Sequence, residues 1–212
     1  MHKQAIVVHS GGLDSSLCLA LALREFGKEN VLSLSFHYNQ SHSSEISQAK
    51  RICDEWEVDH RILTIECLQK ITSSALLGDE NASTLVVGRN GLMARLAAIQ
   101  AHHLGAHYIY MGVIEDDAKQ MGYRDCSREY MDLKQQILRQ DLADPIFEIR
   151  TPLVNMTKKE TLALSHRLGI LDFLLRETIS CYGGVAGLGC QKCPTCKIRN
   201  EAVASLENRI IE

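Results

Sequence analysis

Residues 4–18 read QAIVVHSGGLDSSLC, and the fold turns on them. A short apolar, β-branched run, 4–9, stops at Ser10-Gly11-Gly12. It gives way to residues 14–26, whose apolar positions recur at helical spacing until Gly27 ends them. This is one strand–turn–helix unit. Two adjacent glycines let backbone come close to a ligand, and the free N–H groups of a first helical turn add the positive end of the helix dipole. Such a turn holds an anion, with Ser10, Ser15 and Ser16 adding hydroxyl donors. The turn contains neither GxxxxGK[ST] nor GxGxxG, which excludes an ordinary Walker loop and a dinucleotide fingerprint. The plain alternative is a tight turn whose glycines serve only the chain reversal.

Outward from this unit, strands and helices alternate. Residues 31–38 alternate as a strand, 45–56 form an amphipathic helix, and 60–65 form a third strand. Residues 68–83 have weak periodicity and read as a loop or a frayed helix. Residues 92–103 predict a buried helix ending at Gly105, and 108–113 a buried strand. Beyond them come a polar stretch over 115–127, a helix near 129–140, a turn at Pro145 and an extended run before Pro152. Helices around 158–168 and 197–208 follow. The alternation predicts an α/β fold, a doubly wound, mostly parallel sheet with helices on both faces.

Composition sets limits on function. The chain has 212 residues, 45% hydrophobic and 23% charged, with 3 prolines, which is globular. Lys plus Arg is 23 against 26 for Asp plus Glu, a net charge of -3, so no general cationic surface attracts a nucleic acid. The longest apolar run, Leu17 to Leu23, is far short of the roughly 20 residues of a membrane span. The first ten residues hold too few apolar positions for a secretory signal, and the chain reads as cytoplasmic.

Of eight cysteines, Cys18, Cys53, Cys67 and Cys126 are scattered, while Cys181, Cys190, Cys193 and Cys196 crowd together as C-x8-C-x2-C-x2-C. That is ligand spacing. Four thiolates suit a closed tetrahedral zinc site, and Gly183, Gly184, Gly187 and Gly189 free the loop to wrap a metal. Lys192 and Lys197 offset the negative charge of such a centre. An iron–sulfur cluster uses the same ligands, and a redox pair would use one C-x-x-C.

SGGLDSS resembles the SGGxDS motif of the PP-loop, or N-type ATP pyrophosphatase, superfamily. Combined with the cysteine cluster, it resembles the 7-cyano-7-deazaguanine synthase family over nearly the whole chain. Further blocks fit in order: HYNQSHSSE at 38–45 with its flanking His37, VVGRN at 86–90, GVIEDD with GYRDC across 112–126, TPL with KKE across 151–160, and TISCY at 178–182. Asn39, Ser41, Val87, Arg124 and Ile179 depart from the family pattern, and two residues are extra between Asp117 and Gly122.

The resemblance implies an ATP-dependent carbon–nitrogen ligase of queuosine biosynthesis. It would adenylate 7-carboxy-7-deazaguanine and join it to ammonia, giving the nitrile with two rounds of ATP use. Residues 1–175 would form the ATP-binding domain and 176–212 a zinc-binding segment packed on it. Ser10, Gly11, Gly12, Ser15 and Ser16 would hold phosphates. Asp14 would order the loop or reach Mg2+ through water, its alternative being a helix N-cap. Arg89 would meet developing phosphate charge and Asp117 would hold Mg2+, making Asp14, Arg89 and Asp117 the catalytic set. Tyr38, Gln40, Arg89, Asn90, Asp125 and Cys126 would bind substrate, the alternative for Cys126 being a small buried residue. Among nine histidines, His42 stands out as a proton carrier. A homodimer is implied as well. The competing readings are a relative that joins the activated acid to another amine, such as a protein's, and a tRNA-modifying PP-loop enzyme.

Overall fold

The computed structural model describes residues 2–38, 44–72, 74, 77, 84–119 and 122–210. Five parallel strands form one sheet: β1 (Ala5–Val8), β2 (Val31–His37), β3 (Asp59–Thr64), β4 (Tyr108–Met111) and β5 (Glu148–Arg150), in the order β3-β2-β1-β4-β5. Ala5 of β1 is in register with Val31 on one side and Tyr108 on the other. The winding direction reverses at the β1/β4 border, which is where an open parallel sheet makes a crevice at its carboxyl ends.

The helices follow the predicted alternation. They are α1 (Leu13–Phe26), α2 (Ser44–Glu55), the one-turn α3 (Leu68–Ile71), α4 (Arg89–Leu104), α5 (Glu115–Lys119), α6 (Arg128–Asp141), α7 (Lys158–Arg167), α8 (Leu171–Glu177) and α9 (Pro194–Ile210). Sheet residues alternate between two cores. Ile6, Leu34 and Ile109 pack against α4 and α6, whereas Val7, Val31 and Tyr110 pack against α1 and the helices that close on it. Besides Gly91 and Met93, α4 buries Ala94, Ala97, Ala98 and Ala101, small side chains that let the helix lie close to the sheet. α1 ends where Gly27 turns at φ 78, as the sequence predicts.

Several boundaries differ from the sequence reading, α9 among them, which begins at Pro194 rather than 197. α4 begins at Arg89 rather than 92, because Gly88 at φ 69 supplies the left-handed entry and Gly91 is tolerated in the first turn. A Cβ at Gly91 would lie 2.0 Å from the Tyr130 hydroxyl, so any side chain there would displace the end of that ring. The polar stretch holds two short elements, α5 and a 3-10 turn at Arg124–Cys126. The seven-residue α8 went unseen, since Ile170 offers no side-chain cap to announce it. No described helix is long and apolar enough to cross a membrane.

Candidate active site

β1 delivers the chain to Ser10, and the turn that follows is held from behind. At φ 85, Gly11 occupies a region most side chains avoid, and a Cβ there would lie 2.1 Å from the Glu45 carbonyl oxygen at the start of α2. Gly11 therefore seats α2 on the loop and does not itself line the crevice. Gly12 is the N-cap of α1 with no side-chain cap bond, so Asp14 lies inside the helix and the capping alternative does not hold.

The loop hydroxyls are turned inward. Ser15 Oγ donates to the Gly12 carbonyl at 3.0 Å, Ser16 Oγ donates to the same carbonyl at 2.8 Å, and Ser10 Oγ lies 3.0 Å from Ser15 Oγ. Ser10, Gly12, Asp14 and Ser15 line a cavity of about 250 Å³ above the strand ends. Ser16 does not: it is fully buried, and His9 Nε2 sits 3.0 Å from its oxygen. The expected phosphate contact from Ser16 is thus replaced by a contact beneath the loop.

Across the crevice stands Lys158, whose Nζ pairs with Asp14 Oδ2 while its backbone N–H donates to Asp116 Oδ2 at 2.7 Å. Thr157 and Glu160 form a capping box that fixes this end of α7. Asp14 Oδ1 is buried with no hydrogen-bond partner, one of two such side-chain atoms among the described residues. Asp117, after β4, also lines the cavity. Burial first, and then the Asp14 charge, push its carboxyl up to about 6. Asp14, Asp117 and Lys158 thus share the cavity, with the lone pairs of Asp14 Oδ1 left unspent. The lysine was quoted in the sequence only as part of a motif. Its partnership with Asp14 spans 144 positions and leaves no local signal.

The far wall is built by α4. Arg89 Nη1 donates to the Tyr38 hydroxyl at 3.2 Å, and its guanidinium lies 5.9 Å from that ring's centre. Burial works against the guanidinium's charge, yet Tyr38 and then Asp125 and Cys126 hold its pKa above the ordinary value. Glu45 reaches into the same cavity, where burial lifts its carboxyl to about 7 against the opposing pull of Arg89. Asn90 Nδ2 donates to Cys126 Sγ at 3.2 Å, and both line the cavity. Asp125 does not line it. Its carboxylate accepts the Asn90 backbone N–H at 2.9 Å and so fastens the start of α4. Gln40 and His42 lie outside the described residues.

The four cysteines converge as their spacing predicts: the sulfurs of Cys181, Cys190, Cys193 and Cys196 all lie within 4.8 Å of one another and can hold a metal such as zinc. Pro194 opens α9 at the position where a missing N–H costs nothing, and Cys196 stands in its first turn. The backbone N–H of Cys193 donates to Cys190 Sγ at 3.3 Å, and such donors hold the Cys190 thiol at about 6, ready to ligate as thiolate. A Cβ at Gly189 would lie 2.2 Å from Cys196 Sγ, so this cradle requires glycine. The segment that carries the cluster also reaches the crevice: Ile179, Ser180, Tyr182, Thr195 and Ile198, which flank the cysteines, line the same cavity as Arg89. Arg199 staples the arrangement, donating to the Leu175 and Thr178 carbonyls at 2.8 and 3.1 Å.

Comparison with known proteins agrees with this geometry. A family model described as "Queuosine biosynthesis protein QueC" matches residues 4–207. The 7-cyano-7-deazaguanine synthase of Bacillus subtilis (strain 168) is 38% identical over 208 residues, covering 94% of this chain and 93% of its own. Among solved structures, an NH3-dependent NAD synthetase from Campylobacter jejuni superposes with a TM-score of 0.55 at 20% identity, over 82% of this chain and 67% of that one. The U34-tRNA thiolase NcsA from Methanococcus maripaludis gives 0.51 at 18% identity, over 97% and 65%. At those identities the two structures speak for the fold alone.

Proposed function

The chain belongs to the QueC family of queuosine biosynthesis proteins, and we propose from that membership and the crevice that it is an ATP-dependent ligase making 7-cyano-7-deazaguanine. The observation that carries the reading is that one cavity is lined both by the glycine-rich turn at the start of α1 and by the half-buried Arg89. The turn at Ser10–Ser15 would receive the β and γ phosphates as a leaving group, and Arg89, which lines the same cavity, would meet the α phosphate and the acid that attacks it. Asp14, through its orphaned oxygen, and Asp117 would hold Mg2+, which would neutralise the charge of the phosphates. Tyr38, Asn90 and Cys126 would contact the deazaguanine acid, its carboxylate turned to Arg89.

Removing both oxygens of a carboxylate needs two activations. The acid oxygen attacks the α phosphate and pyrophosphate leaves. Ammonia then displaces AMP to give the amide. The amide oxygen attacks the α phosphate of a second ATP, pyrophosphate leaves and the nitrogen gives up one proton; loss of AMP with the other N–H proton leaves the nitrile. Zinc on the four cysteines would be structural, holding the wall that carries Tyr182 and Thr195. Residues 176–212 act as an appendage of a single ATP-binding domain, and the protein works in the cytoplasm as a homodimer.

Oxygen-18 tests the chemistry. Given ATP, Mg2+ and the labelled acid without ammonia, the protein should release pyrophosphate and pass label to AMP; with ammonia, amide and nitrile should appear by mass spectrometry. Arg89→Ala should slow pyrophosphate release by about 10²-fold or more while weakening ATP binding much less. Label in inorganic phosphate, with ADP as co-product, would mean γ-phosphoryl transfer and overturn the mechanism.

A further inference from the structure

Beneath the phosphate turn lies a polar network that the reading above does not use. His9 is the last residue before the turn and is 1% exposed. Its Nε2 is 3.0 Å from Ser16 Oγ, and its Nδ1 is 2.9 Å from Ser33 Oγ on β2 and 3.7 Å from Cys53 Sγ on α2. Its backbone carbonyl accepts the Ser35 hydroxyl, and Ser35 Oγ lies 2.8 Å from His60 Nε2 on β3. One imidazole thus links the phosphate turn to β2 and α2.

The Gly12 carbonyl gathers three donors, the Ser16 N–H and the Ser15 hydroxyl at 3.0 Å and the Ser16 hydroxyl at 2.8 Å. With the Ser16 proton given to that carbonyl, Ser16 Oγ is an acceptor toward His9, and the matching tautomer carries its proton on Nε2. His9 Nδ1 is left unprotonated to accept from Ser33, with the Cys53 thiol aimed at the same nitrogen. We propose that His9 is a positioning residue for the ATP turn: as the neutral Nε2–H tautomer it holds the Ser16 hydroxyl on the Gly12 carbonyl, which sets the turn from which Gly12, Asp14 and Ser15 face the cavity. The inference rests on the proposal that ATP binds this turn.

Burial, and then the neighbouring His60, keep the ring neutral by lowering its pKa to about 3. The ring therefore adds no positive charge of its own beneath the turn. His9 borders the cavity, but its two ring nitrogens are spent on Ser16 and Ser33, so its effect is on the geometry of the turn, not on the chemical step.

Two replacements separate its two nitrogens. Glutamine carries its amide to about the Nε2 position and retains a donor for Ser16; asparagine stops near Nδ1 and loses that donor. Calorimetry should give His9→Gln an ATP affinity within about threefold of the parent. His9→Asn should lose on the order of tenfold, the size of one ordering hydrogen bond. The KM for ATP should rise with it while kcat at saturating ATP stays nearly constant. Thermal midpoints of the two variants should be alike, since each buries one amide. In the ligand-free parent, nitrogen-15 NMR should show His9 as Nε2–H from pH 8 to pH 5. A protonated ring, or the Nδ1–H tautomer, overturns the proposal even if neither variant folds. Equal ATP affinity in the parent and His9→Asn also overturns it. Failure of the parent itself to bind ATP is a separate result, which removes the proposed function and this role with it.

Discussion

Gly112 closes β4 directly under the first turn of α1, and adding one methyl group there tests whether the turn's placement sets the rate. Its φ is one that alanine adopts, so Gly112→Ala brings no backbone strain of its own. The obstacle is the neighbour. The new Cβ would lie 2.7 Å from Ser15 N, 2.8 Å from Ser15 Cα and 2.9 Å from Asp14 C, about 0.7 Å inside ordinary contact. These are backbone atoms of a helix pinned by the fully buried Leu17 and Cys18, so relief requires α1 and β4 to separate. Overpacking of this kind costs about 1–3 kcal/mol. The same displacement moves Asp14 and Ser15 against Arg89, and misplacing reacting groups by about 1 Å costs up to about 10²-fold in rate. We expect ATP- and acid-dependent pyrophosphate release to fall about 10- to 100-fold, with a modest drop in the urea midpoint. Gly169→Ala is the control. It forces alanine to φ 73 with nothing within 4 Å, far from the cavity, and should cost about 1–2 kcal/mol with no loss of rate. If both variants lose stability alike and Gly112→Ala keeps the full rate, the argument from placement is wrong.

The depressed pKa of His9 makes stability depend on acid. The unfolded chain takes a proton on this residue below about 6.5 while the native chain refuses it until about 3, so its contribution is whole above pH 6.5 and declines as pH falls. Glu45 and Asp117, with raised pKa values, act in the opposite direction. Urea titrations of the parent and His9→Gln should therefore diverge in slope by up to about 1.4 kcal/mol per pH unit between pH 6 and 5, and parallel curves would contradict a buried neutral ring. Stripping metal from the cysteines, worth about 10–16 kcal/mol of binding in small zinc-finger peptides, should abolish pyrophosphate release and unprotect residues 181–199 in hydrogen exchange while β1 and β4 stay protected. Active protein with less than one metal ion per chain would count against it.

Much of this arrangement was legible in the linear order of residues. Strand, Gly-Gly turn and helix at 4–26 are local features, and so is the C-x8-C-x2-C-x2-C spacing; both appear where periodicity and ligand spacing placed them. What escaped was contact across the sheet. Ser16 has the look of a phosphate ligand until β2 sets Ser33 behind His9 and draws the hydroxyl inward. Asp125 reads as a pocket carboxylate until α4 is seen to begin three residues early, which carries the Asn90 N–H to it. Lys158 is anonymous in sequence because its carboxylate partner is on the first helix. His9 did leave a trace: a lone histidine ending an otherwise apolar central strand must satisfy two ring nitrogens in the core, and only hydroxyls or thiols from neighbouring strands and helices could do so.

One wall of the cavity comes from residues 179–198, whereas the nucleotide turn comes from 10–16. During synthesis, then, the turn leaves the ribosome long before the surface that faces it. Until Thr195 and Ile198 have emerged and the cysteines have gathered, the emerging polypeptide carries an anion-binding turn open to water on one side. Under the proposed function, a growing chain in that condition would meet nucleotide without enclosing it, and activation of a carboxylate would wait for residues 179–198.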